Sequence, residues 1–151
     1  LGLNDIQAVI ADMGPFEGAK EFVEWVRTHF QLIILSDTFY EFAHPLMQQL
    51  GWPTIFCHKL ETDENGMITN YKLRQPDQKR QAVKALHGLN FRVIAAGDSY
   101  NDTTMLGEAD AGFLFDAPDN VIAEFPQFPP IHGYAALKEA IRNASVRDIP
   151  A

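Results

Sequence analysis

Apolar residues at Phe16, Ala19, Phe22, Val23, Val26 and Phe30 recur at three- and four-residue steps. That is the spacing of an amphipathic helix, opened near Pro15 and Gly18. Residues 31–35 follow as a short Leu- and Ile-rich run without alternation, which predicts a strand covered on both faces. Helical spacing returns over 39–50, with Pro45 either near the start of that helix or kinking it, and Gly51, Trp52 and Pro53 end it. Residues 54–57 predict a second buried strand.

The texture then changes. Residues 59–63 and 67–73 flank Asn65-Gly66, the dipeptide that most favours a type I′ turn, so a β-hairpin is expected to project from the sheet. Pro76-Asp77 opens a helix reaching about Leu86, residues 91–96 give a third buried strand, 101–108 a short helix and 111–115 a fourth strand. The prolines between 126 and 130 predict loop, and Tyr134, Leu137, Ala140 and Ile141 mark a last amphipathic helix. Strands interleaved with helices imply an α/β layered fold with a parallel sheet and right-handed crossovers.

Composition narrows the function classes. A chain of 151 residues, 46% hydrophobic, suits one globular domain. It has no apolar run long enough to span a membrane, and residues 1–7 lack the basic and apolar regions of a secretory signal. The expectation is a cytoplasmic protein with no membrane partner. A net charge of −8 opposes nonspecific nucleic-acid binding and would repel an anionic metabolite unless a cation or local basic group offset it. The single cysteine, Cys57, excludes an internal disulfide framework and reads as a core residue. A homodimer is compatible with the chain, but no apolar motif specifies one.

Ligands of open parallel sheets bind beyond the carboxyl ends of the strands. The strand over 31–35 runs into Ser36-Asp37-Thr38, and the strand over 91–96 into Gly97-Asp98-Ser99, followed by Tyr100, Asn101 and Asp102. Asp98 and Asp102 offer hard oxygens of the kind Mg²⁺ takes, one or two carboxylates with water and phosphate oxygens completing the shell. The competing reading has Asp102 complementing a helix N-terminus and Asp98 in a turn. Ser36 could donate to a phosphoryl oxygen or simply cap the next helix. Lys79 and Arg80 fall in the first turn of a helix, where cations oppose the macrodipole by about 0.3–1 kcal/mol each. A nearby anion would explain Lys79, and a solvated surface would equally explain Arg80.

Other apparent signals fail on their own chemistry. The stretch from Gly14 to Lys20 echoes a phosphate-binding loop but has the wrong spacing, no Ser or Thr after the lysine, and Pro15 and Glu17 where a backbone nest is needed. No G-x-G-x-x-G is present, and the five histidines show no metal-ligand spacing.

Ser36-Asp37-Thr38, Lys79 and Gly97-Asp98-Ser99-Tyr100-Asn101-Asp102, in that order, resemble motifs two, three and four of the haloacid dehalogenase (HAD) superfamily of phosphohydrolases. The stretches ILSDTFYEF, QLGWPT, CHKLE, LRQPDQKRQ and RVIAAGDSYNDTTML resemble its phosphoserine phosphatase branch over nearly the whole chain, and within it the bifunctional phosphoserine phosphatase/homoserine phosphotransferases. The resemblance implies a HAD-like Rossmannoid three-layer sandwich. It also implies Mg²⁺-dependent phosphoryl transfer through an aspartyl-phosphate on a small phosphorylated amino acid, with hydrolysis of phosphoserine and transfer to homoserine. It assigns phosphoryl contacts to Ser36, the backbone at Asp37, and Asn101. Lys79 is assigned charge neutralisation, Asp98 the Mg²⁺, and Asp102 support of metal or lysine. Such roles suit a reaction catalysed mainly by positioning and charge neutralisation.

The first motif, D-x-D or D-x-E on its own strand, has no counterpart here. Its nearest candidate, Val9 to Gly14 around Asp12, has Gly14 where the acid/base carboxylate belongs. The likeness assigns residues 1–14 to the remnant of a helical cap and linker, 15–145 to the HAD-like core and 146–151 to a C-terminal tail. The nucleophile strand and most of the cap are then expected outside these residues. In that fold the strand is central, and each backbone group left unpaired without it costs on the order of 1–3 kcal/mol, against a total stability of about 5–15 kcal/mol. The alternative reading is a catalytically inactive HAD-like fragment that binds phosphate or a partner chain. A two-component receiver is excluded, because its motif order does not match Ser36, Lys79, Asp98.

Overall fold

The computed structural model describes residues 2–151. The chain forms two compact units, one ending at Pro76 and one running from Asp77 to Ala151. In the first, α1 (Leu3–Met13) precedes α2 (Ala19–His29), β1 (Ile33–Phe39), α3 (Tyr40–Gln49), β2 (Thr54–Thr62) and β3 (Ile68–Lys72). The strands make one sheet in the order β1-β2-β3, parallel between β1 and β2 and antiparallel between β2 and β3. Its core joins Ala43, Met47 and Leu50 of α3 and its end to Val23, Leu46, Ile34 and Ile55. Helical spacing in α2 and α3 thus supplies the layer that the unalternated strands require. Helix α1 is tied to α3 by Gln7 Nε2, which donates to Glu41 O (2.7 Å), and by Gln49 Nε2, which donates to Ala11 O (2.9 Å).

The second unit contains α4 (Gln78–Gly88), β4 (Ile94–Gly97), a 3₁₀ turn (Tyr100–Asp102), α5 (Thr103–Glu108), β5 (Ala111–Phe115), α6 (Asp119–Glu124), β6 (Pro130–Ile131) and α7 (Tyr134–Ala144). Strands β4, β5 and β6 form an all-parallel sheet in that order. Val83, Met105, Leu106, Leu114 and Leu137 are buried, which places α4, α5, β5 and α7 around its core. Among the described residues, β1 pairs with β2 alone and β4 with β5 alone, so each strand keeps one edge free of ladder hydrogen bonds.

Three sequence expectations change. The run at 54–57 and the first hairpin arm are one strand, β2, because pairing with β1 hands over directly to pairing with β3. The hairpin turn is not type I′, which needs positive φ at both central residues. Gly66 has φ +77°, but Asn65 is not among the left-handed residues. The Asp63 carboxylate accepts the N–H groups of Asn65 and Met67 (both 2.9 Å), and Gly66 N–H donates to Asp63 O (3.0 Å), which fixes a turn one residue earlier. Of the two placements open to Pro45, the structure has the interior one, within α3. Residues 119–124 form α6, and the proline cluster ends in the short strand β6 rather than in loop alone.

Candidate active site

Gly97 ends β4, and the chain passes through Asp98 and Ser99 into the 3₁₀ turn. Asp102, the last residue of that turn, folds its side chain back over the strand end. Its Oδ2 accepts the backbone N–H of Asp98 (2.9 Å) and of Ser99 (3.1 Å) and the Ser99 hydroxyl (3.3 Å). Its Oδ1 accepts from Lys79 Nζ at 2.6 Å, with the Lys79 and Asp102 side chains only 11% and 8% exposed. Burial pushes the Asp102 carboxyl up, but the Lys79 ammonium and the two backbone donors outweigh it and hold the group below the usual carboxylate range. Gly97 makes this arrangement possible, since a Cβ there would stand 2.5 Å from the Asp102 Cβ.

The helix-start reading of Asp102 is therefore the one its contacts fit. The side chain satisfies backbone donors at a helix start and also neutralises a buried lysine. With both oxygens engaged, it is not shaped to share a metal equally with Asp98. Asp98 and Asn101 are exposed at the carboxyl end of β4. The other helix-opening cation behaves differently. Arg80 faces Glu108 (3.3 Å) and Asp77 (3.7 Å) and remains on the surface.

In the first unit, Ser36 and Asp37 do not follow the strand, as the sequence predicted, but lie within β1. The ladder to β2 is regular through Leu35↔Phe56 and resumes at Phe39↔His58, so Ser36, Asp37 and Thr38 stand opposite Cys57 alone. This bulge turns the three residues out of the ladder, and Thr38 N–H donates to Ser36 Oγ (3.2 Å) within it. Sequence reasoning missed what backs the bulge. His58 is buried, accepts the Arg74 backbone N–H at Nδ1 (2.9 Å), and presents Nε2 to Asp37 Oδ1 at 3.6 Å. Arg74 also donates to Cys57 O (3.1 Å) and to the Tyr40 hydroxyl, and its guanidinium covers the Tyr40 and Phe56 rings. The only sequence signal was a histidine directly after the apolar run Ile55-Phe56-Cys57. Asp12, the nearest stand-in for a nucleophile, lies in α1 rather than at a strand end.

No set of three or more His, Cys, Asp or Glu side chains is grouped to hold a metal among the described residues. The haloacid dehalogenase-like hydrolase profile matches residues 3–110, most of the chain.

The chain belongs to the haloacid dehalogenase-like hydrolase family.

It is 62% identical over 149 residues to a phosphoserine phosphatase of Pseudomonas syringae pv. tomato, covering 99% of this chain and 63% of that protein. It is likewise 62% identical to phosphoserine phosphatase ThrH of Pseudomonas aeruginosa, covering 73% of that protein. The chain thus spans less than two thirds of the P. syringae relative. Among solved structures it is similar to a phosphoserine phosphatase in apo form, with a TM-score of 0.75, 18% identity, and coverage of 94% of this chain and 73% of that one. A phospho-aspartyl intermediate analogue of phosphoserine phosphatase gives a TM-score of 0.74 at 17% identity, with 95% and 70% covered. At such identities these two establish the HAD-like α/β fold. No helix among the described residues is long and apolar enough to cross a membrane.

Proposed function

We propose that the protein hydrolyses phosphoserine to serine, by transfer of the phosphoryl group through an aspartyl-phosphate, with homoserine as a second acceptor. The observation that carries this reading is the buried Lys79–Asp102 pair at 2.6 Å, set at the carboxyl end of a parallel strand beside Asp98. The 62% identity to two proteins named phosphoserine phosphatase supports the substrate.

In this reading Lys79, held in place by Asp102, neutralises charge that builds on the transferring phosphoryl group. Ser36 and the backbone at Asp37 contact phosphoryl oxygens, and Asn101 contacts the substrate phosphate. The nucleophile and the acid/base are assigned to no residue of this chain. Asp98 is the residue that would hold Mg²⁺. It is exposed and has its backbone fixed, and one protein carboxylate suits an ion that keeps waters and takes phosphate oxygens. When bound, the ion would supply charge neutralisation at those oxygens. We place the reaction in the cytoplasm.

The test uses the protein at its full natural length. Phosphate release from phosphoserine is measured with Mg²⁺ and with a chelator, and added homoserine is followed for its phosphorylated product by ³¹P NMR. Release that needs Mg²⁺ and is lost in Asp98→Asn is expected. Mg²⁺-dependent release unaffected by that substitution would remove Asp98 from the metal, and no release would end the reading.

A further inference from the structure

The bulge of β1 presents a chemical problem. Ser36 and the backbone at Asp37 are proposed to meet a phosphoryl group through a hydroxyl and an N–H group, yet Asp37 carries a carboxylate that would repel it. One side chain facing that carboxylate is His58, next along β2 from the residue opposite the bulge. Because Nδ1 accepts the Arg74 backbone N–H, the imidazole carries its proton on Nε2, the atom turned to Asp37 Oδ1. The ring is 7% exposed and lies tilted against Phe39 with centroids 6.0 Å apart, so its orientation is set by packing as well as by the hydrogen bond.

We propose that His58 is a positioning residue that draws the Asp37 carboxylate to its Nε2–H and so keeps the Ser36 hydroxyl and the Asp37 backbone open to the phosphoryl group. The role rests on the phosphatase reading for its consequence, but the His58–Asp37 pairing stands apart from it. It acts on binding, because ground state and transition state both carry the phosphoryl charge, so KM changes and kcat does not.

Two substitutions separate this role from packing. His58→Asn keeps an acceptor for Arg74 N–H but loses the group that reaches Asp37. His58→Gln keeps an N–H directed toward Asp37. In the full-length protein, His58→Asn is expected to raise the phosphoserine KM about tenfold with kcat within about twofold, the pattern of lost uniform binding, and His58→Gln to restore most of it. Asp37→Asn should lower KM, and adding it to His58→Asn should erase the defect. A KM unmoved in His58→Asn, or a defect that survives Asp37→Asn, overturns the proposal. The imidazole ¹⁵N spectrum gives a readout that needs neither turnover nor a His58 variant. Asp37→Asn should shift Nε2 and leave Nδ1 in place, and an unmoved Nε2 overturns the pairing. Absence of phosphoserine hydrolysis in the unsubstituted protein would instead defeat the functional reading, leaving the pairing to the ¹⁵N result.

Discussion

Lys79 Nζ lies 2.6 Å from Asp102 Oδ1, with both side chains about nine-tenths buried. A buried pair of this kind gains little over an apolar replacement, but losing one member strands the other charge. Lys79→Ala and Asp102→Asn should each destabilise the second unit by about 3–5 kcal/mol, and the double substitution should cost well under the sum of the two. Denaturant unfolding of all four proteins measures the coupling. Additive costs would mean the pair does not interact.

Gly97 and Gly88 should respond to alanine in opposite senses. A Cβ at Gly97 meets Asp102 Cβ, Cγ and Oδ2 at 2.5–2.6 Å, whereas nothing lies within 4 Å of one at Gly88, the last residue of α4. Gly97→Ala should cost about 1–3 kcal/mol through overpacking and displace Asp102 from Lys79. Gly88→Ala should be neutral or stabilise by up to about 1 kcal/mol, by restricting the unfolded chain. Thermal unfolding of the two variants decides, and equal shifts would refute the contrast.

Asp110 accepts the Val93 N–H at 2.7 Å and pairs with His87 at 2.9 Å, and these contacts, with Arg92 nearby, hold its carboxyl below the usual range. A carboxyl whose folded pKa is depressed stabilises the fold fully above its unfolded value of about 3.9. That contribution is lost as pH falls through the lower folded value. Urea midpoints should therefore fall less between pH 5 and pH 3 for Asp110→Asn than for the unsubstituted protein (a pH window set by the unfolded value of about 3.9). Parallel curves would show that Asp110 is not linked to folding.

Cys57 should be inert while the protein is folded. Burial pushes its thiol up to about 11, with Arg74 opposing and Glu41 adding to the shift. The thiolate is the reactive form, so iodoacetamide at pH 8 should label Cys57 only after unfolding. Rapid labelling of the native protein would contradict its burial at 1% exposure.

Much of this was legible in the residues. The spacing at Phe22, Val23 and Val26 fixed α2, the apolar run at 111–115 became β5 with the same bounds, and GDSYND placed Asp98 and Asp102 at a strand end. Local periodicity sufficed because each of these segments has one face or both covered by its neighbours. The bulge at Ser36–Thr38 was not legible, since it arises from the register between β1 and β2, and register is a property of a strand pair. For the same reason the chain order of Lys79 and Asp102 suggested shared chemistry, while their 2.6 Å contact and its burial came only from packing α4 against the segment that follows β4. His58 looked like an isolated histidine in sequence. Only the fold supplies Arg74 on one side of its ring and Asp37 on the other, because polar partners far apart in the chain are chosen by topology rather than by spacing.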